Sequence, residues 1–75
     1  TNIRVREKKP FEELNGILDL VSQAESELKD GGGRVLLRYS GTEPKVRLLI
    51  EGRDSDVLQR WSTKISDALK AQVGI

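Results

Sequence analysis

Seventy-five residues, a formal net charge of +1, 36% hydrophobic and 33% charged side chains describe one small soluble domain, richer in charge than average. A chain this short buries about 60–70% of the surface its unfolded form exposes, which excludes a second core or a deep enzyme cleft walled on every side. With neither cysteine nor histidine, it has no disulfide, no thiolate nucleophile, no finger-type zinc site and no imidazole base.

Along the chain, Ile3 and Val5 alternate with Arg4 and Arg6, the period-two pattern of a short half-buried strand. Glu7-Lys8-Lys9 is a polar connector, and Pro10 stands where a helix begins, since proline has no N–H to leave orphaned there. Glu12 and Glu13 favour the positive end of that helix's dipole. Phe11, Leu14, Leu18, Val21 and Leu28, widened by Ile17, recur with helical spacing and predict one amphipathic helix to about Leu28. Gly31-Gly32-Gly33 ends it, as a turn or, on a sharper reading, a phosphate cradle. Arg34 and Leu36 break both the Walker-type and the dinucleotide patterns, which favours the turn.

Residues 35–39 and 46–51 read as two strands joined by a shaped loop containing Gly41 and Pro44. Asp54 or Ser55 offers an N-cap to a last helix whose stripe is Leu58, Trp61, Ile65, Ala68, Leu69 and Gln72, with Val57 beside them. That helix runs to about Ala71 and is expected to fray at Val73-Gly74. The order is β-α-β-β-α, an α+β fold whose small, mainly antiparallel sheet carries two helices on one face. The other face is left to solvent or to another domain. The predicted core is Phe11, Leu14, Leu18, Val21, Trp61, Ile65 and Leu69, with Leu37 and Leu48 near them.

The longest apolar runs, Val35-Leu36-Leu37 and Leu48-Leu49-Ile50, fall far short of a membrane span or a signal-peptide core. The absence of cysteine and of a targeting segment suits a reducing, cytoplasmic setting. No methionine occurs, which fits either initiator removal or excision from a longer chain.

Charge is unevenly spread. Between Arg34 and Arg53 lie five cations and two carboxylates, a local net charge of +3, while the rest of the chain carries −2. Within that stretch, Arg38-Tyr39-Ser40-Gly41-Thr42-Glu43-Pro44 sets a guanidinium before two hydroxyls flanking a glycine. Arginine's planar fork matches two oxygens of a phosphate, and serine and threonine hydroxyls add donors. Glycine allows the main chain to curl and bring its N–H groups together as an anion nest. A phosphate grip and an ordinary hairpin turn both fit these residues. Glu43, with Arg38, Lys45 and Arg47 nearby in sequence, reads as an ion-pairing residue rather than a general base. Arg47 alternates away from Val46 and Leu48, and either reaches the same anion or faces solvent.

The run from Gly33 through Pro44, with Val46-Arg47 and Glu51-Gly52 after it, resembles the C-terminal domain of the α-D-phosphohexomutase superfamily, in particular its phosphoglucosamine mutase branch. The signature is an arginine, one variable residue, Ser-Gly-Thr-Glu-Pro, and an arginine three residues on. The resemblance covers essentially the whole chain. It implies a TATA-binding-protein-like α+β fold and, for residues 1–75, one phosphate-binding domain excised from a four-domain cytoplasmic enzyme. It also implies that Arg38, Ser40, Gly41 and Thr42 hold the phosphate that is not being transferred. Arg47 matches the second arginine, and Tyr39 fills the variable position, where it packs or lends only its backbone. The partners would be a phosphosugar substrate and the other three domains of the parent, with no nucleic acid and no membrane.

The phosphorylated serine loop, the sugar-recognition loop and the Asp-x-Asp-x-Asp magnesium site of that family have no counterpart here. Mg2+ is thus implied for the parent and no cofactor for this chain, which would not be catalytic alone. The parent would interconvert glucosamine 6-phosphate and glucosamine 1-phosphate through a bisphosphate. A phosphomannomutase or phosphoglucomutase domain is an alternative, because sugar identity is read largely elsewhere. From another class, a small nucleic-acid-binding module could use the basic hairpin and open sheet, with Tyr39 as its stacking platform. A plain interface domain without a ligand is a third reading.

Overall fold

The computed structural model describes all 75 residues. The chain runs through strand β1 (Asn2–Arg4), a 3-10 turn (Phe11–Glu13), helix α1 (Ile17–Leu28), a second 3-10 turn (Lys29–Gly31), strands β2 (Arg34–Tyr39) and β3 (Lys45–Glu51), and helix α2 (Ser55–Val73). The strands form an antiparallel sheet in the order β1-β3-β2, so the expected α+β class holds.

Strand alternation divides the sheet. Ile3, Val35, Val46 and Leu48 are buried on one face, and both helices pack there through Ile17, Ala24, Leu28, Trp61, Ile65, Leu69 and Val73. Arg34, Leu36 and Arg38 of β2 and Arg47, Leu49 and Glu51 of β3 occupy the other face, which no element covers. Full burial of one aliphatic side chain contributes about 1.5–3 kcal/mol. The fully buried Ile17, Val46, Ile65, Leu69 and Val73 therefore hold the layers together.

Three sequence expectations need correction. The first helix does not start at Pro10. Residues 11–13 form a separate 3-10 turn, and Gly16, at φ 73°, enters the left-handed region before α1 begins. Glycine takes that conformation without the steric cost of a Cβ. The break resets the helical phase, so Ile17 is fully buried and Leu18, placed in the core from its spacing to Leu14, is 49% exposed. Phe11 and Val21 are only partly buried, packed against the core rather than inside it. The end of α2 does not fray. Val73 is buried, its carbonyl accepts from Arg6 N–H at 2.9 Å, and Gly74 bridges to Val5.

The other boundaries follow expectation closely. Asp54 caps α2, its side chain accepting from the N–H groups of Asp56 and Val57 at 2.9 and 3.3 Å. Gly33 lies where α1 meets the hairpin. A Cβ there would stand 2.4 Å from the Glu51 carbonyl oxygen and 2.7 Å from Leu28 Cβ, so only glycine lets β2 start against both.

Candidate functional site

The β2–β3 register places Arg38 directly opposite Arg47 on the uncovered face, with Asn2 of β1 on the other side of Arg47. Arg47 thus lies on the face that alternation gave it, directly across the strand pair from Arg38. Neither guanidinium joins any of the four ion pairs or any side-chain hydrogen bond of the structure. Like charges directly opposite each other on a sheet are destabilising, so the pair as it stands costs stability. Arg4 stands opposite Lys45 one step further toward the hairpin end, and Lys45 pairs with Glu43 at 3.7 Å. Glu43 thus acts as the ion-pairing residue expected of it. At the far end of the face Arg34 pairs with Glu51. Between lie Leu36 and Leu49, 46% and 48% exposed, in a shallow depression of about 630 Å³ that Arg38 and Arg47 also line.

Two residues beyond Arg38 the chain turns. Ser40 Oγ accepts weakly from the N–H groups of Thr42 and Glu43, at 3.4 and 3.3 Å, the pattern of a serine turn. Two amides therefore converge on one oxygen position. The Gly41 N–H and the Thr42 hydroxyl have no acceptor within the protein. Gly41 does not need glycine for its own backbone: its φ is not positive and a Cβ would meet nothing within 4 Å. The curl expected from glycine comes from the serine turn, and the space over residue 41 is open to an approaching group.

Tyr39 points the other way. Its ring stacks on Phe11 with centroids 4.5 Å apart, and its hydroxyl donates to the Lys9 carbonyl at 2.6 Å. Burial, and then the Glu7 carboxylate, raise the Tyr39 phenol above its ordinary value near 10.0. The packing role expected of Tyr39 holds, but its availability as a stacking platform on the open sheet does not, because alternation puts residue 39 on the helix side. Sequence reasoning missed the connector beneath the loop. Lys8 Nζ donates to the Ser40 carbonyl, and Val5 N–H donates to the Pro44 carbonyl at 2.8 Å. Only the charged Lys8-Lys9 pair hinted at it, and nothing local sets residue 8 beside residue 40.

No three or more Asp or Glu side chains come together in a group that could hold a metal ion. No helix is long and apolar enough to cross a membrane.

Comparison with known proteins supplies the context. Residues 1–68 match the family described as phosphoglucomutase/phosphomannomutase, C-terminal domain. Over 73 residues the chain is 40% identical to the phosphoglucosamine mutase of Geobacter metallireducens, and equally so to that of Wolinella succinogenes. Each match covers 97% of this chain and 16% of the relative. The phosphoglucosamine mutase of Vibrio campbellii is 49% identical over 59 residues, which is 79% of this chain and 13% of that protein. The chain thus spans about one sixth of the length of the relatives it matches. An α+β sheet layered on one side by two helices, a loop of the Arg-x-Ser-Gly-Thr-Glu-Pro type and these matches lead to one assignment: the chain belongs to the phosphoglucomutase/phosphomannomutase C-terminal domain family.

Proposed function

We propose that this domain grips the phosphate of a phosphosugar that is not being transferred, as part of a cytoplasmic phosphohexomutase of the phosphoglucosamine mutase type. The observation that carries the reading is the pair of unpartnered guanidiniums, Arg38 and Arg47, beside a turn with free or weakly held donors at Gly41, Thr42 and Glu43. Arg38 would supply the two-pronged fork, and Ser40 and Thr42 their hydroxyls. The Gly41 and Thr42 amides would turn to phosphate oxygens, Thr42 releasing its long bond to Ser40 Oγ. Arg47 would complete the charge. The other domains of the parent would supply the phosphoryl-carrying serine, the Mg2+ that stabilises charge in phosphoryl transfer, and the sugar contacts. The parent would then interconvert glucosamine 6-phosphate and glucosamine 1-phosphate. On this reading the 75-residue chain alone shows no mutase turnover, and turnover by a sample free of full-length enzyme would sink it.

Affinity should be low. Two or three charge-assisted hydrogen bonds return roughly 3–9 kcal/mol gross against about 4–15 kcal/mol for lost translation and rotation, so binding is near millimolar or weaker. Titration of the labelled chain with glucosamine 6-phosphate tests the reading. The amide signals of Ser40, Gly41 and Thr42 should move, Arg38→Ala should abolish the movement with the fold intact, and Arg38→Lys should retain part of it. A response confined to the helices, or parental binding by Arg38→Ala, would rule it out. A second reading, a phosphomannomutase or phosphoglucomutase domain, is favoured by the family description itself. Fusing this segment to its upstream chain and comparing hexose and hexosamine phosphates decides between the two. A short oligonucleotide serves as the control for the nucleic-acid alternative, whose aromatic platform lies on the covered side of the sheet.

A further inference from the structure

We infer that Lys8 is a positioning residue for the loop's anion contacts, a role that rests on the phosphate-grip reading. The connector between β1 and the first 3-10 turn runs beneath the loop and is tied twice to it and once to the end of β2. Val5 N–H bonds the Pro44 carbonyl, Lys8 Nζ bonds the Ser40 carbonyl, and the Tyr39 hydroxyl bonds the Lys9 carbonyl. The Phe11–Tyr39 stack adds an apolar fixing point just before the loop.

The tie at Ser40 has a directional consequence. No peptide bond in the chain is cis, and in a planar trans peptide the carbonyl and the following N–H point in opposite directions. Holding the Ser40 carbonyl toward Lys8 therefore aims the Gly41 N–H away from the connector. That N–H has no acceptor in the protein. Without the ammonium, the Ser40 carbonyl loses its one partner, and no side chain at Gly41 opposes a turn of the Ser40–Gly41 peptide plane, since nothing lies within 4 Å of where a Cβ would be. Lys8 thus fixes the bearing of one donor before any ligand arrives. Such preorganisation lowers the ordering cost of binding and leaves the gross contacts unchanged.

The test compares Lys8→Met, which keeps length without charge, with Lys8→Arg, which keeps a donor, each titrated with glucosamine 6-phosphate beside Arg38→Ala. Lys8 is exposed, so neither change disturbs the core. In ligand-free Lys8→Met the Gly41 amide signal should shift. Affinity should fall about three- to tenfold, the worth of one hydrogen bond, and Lys8→Arg should recover most of it. The loss should persist at about 0.5 M salt, where long-range attraction between exposed charges is largely screened. Parental affinity in Lys8→Met, or a loss that disappears in high salt, overturns the positioning role. If Arg38→Ala also binds like the parent, the phosphate grip itself fails. Parental binding by Lys8→Met beside an inactive Arg38→Ala overturns the role of Lys8 alone.

Discussion

Replacing Arg38 with glutamine should weaken phosphosugar binding and at the same time leave the fold as stable or more so. The register sets Arg38 opposite Arg47, and neither has a carboxylate partner. Two exposed unit charges about 6 Å apart repel by roughly 0.7 kcal/mol in water. Cross-strand pairs are worth about 0.2–1 kcal/mol, so the two routes to the magnitude agree. Glutamine keeps most of the side-chain length and removes the charge. The expected gain is therefore about 0.2–1 kcal/mol, or a rise in Tm of roughly 1–8 °C for a domain of this size. Thermal unfolding followed by circular dichroism reads it, and the gain should shrink as salt screens the pair. A structural arginine behaves oppositely. A loss of more than about 1 kcal/mol in Arg38→Gln would show that the guanidinium stabilises the sheet, and the argument that its cost is retained for a ligand would fall.

Gly33→Ala should be strongly destabilising, because its Cβ would stand 2.4 Å from a backbone oxygen. Overpacking of this kind costs about 1–3 kcal/mol, a fall in Tm of roughly 4–24 °C, and an unchanged melting curve would refute the close approach. Val73→Ala should cost about 1–3 kcal/mol in urea unfolding, whereas a frayed terminus would register nothing. Tyr39 titrates higher in the folded chain than in the unfolded one, so the folded state holds its proton more tightly. Its contribution is intact below the unfolded value near 10 and is lost as pH rises through the folded value. Unfolding midpoints measured from pH 9 upward should fall less steeply in Tyr39→Phe than in the parent, and parallel curves would contradict this.

The hairpin was legible from sequence because its information is local. Alternation over residues 35–39 and 46–51, the turn residues between them and the Arg-x-Ser-Gly-Thr-Glu-Pro run all lie within one contiguous stretch. Periodicity also identified Trp61, Ile65 and Leu69 as core, since α2 is unbroken from Ser55 to Val73 and one phase serves its whole length.

Where the chain breaks, that logic fails. The stripe counted from Phe11 was carried across Gly16 into α1, where the left-handed residue had already reset the phase, so Leu18 was placed in the core while Ile17, read only as widening the stripe, is the fully buried one. Helical periodicity cannot register a single residue that leaves the helix between two helical turns.

Everything that depends on distant segments meeting was decided by tertiary structure alone. Val73 is buried because Val5 and Arg6, more than sixty residues earlier, pair with the end of α2. Parity put Arg47 on the face away from Val46 and Leu48, but only the strand register set it opposite Arg38, which makes the two a single doubly charged feature. Lys8 reads in sequence as connector charge. It acquires a role only because β1 pairs with β3 and carries the connector beneath the loop at Ser40. The residue types that could hold an anion were thus set by one short stretch of chain, whereas their orientation depended on contacts that only the folded chain closes.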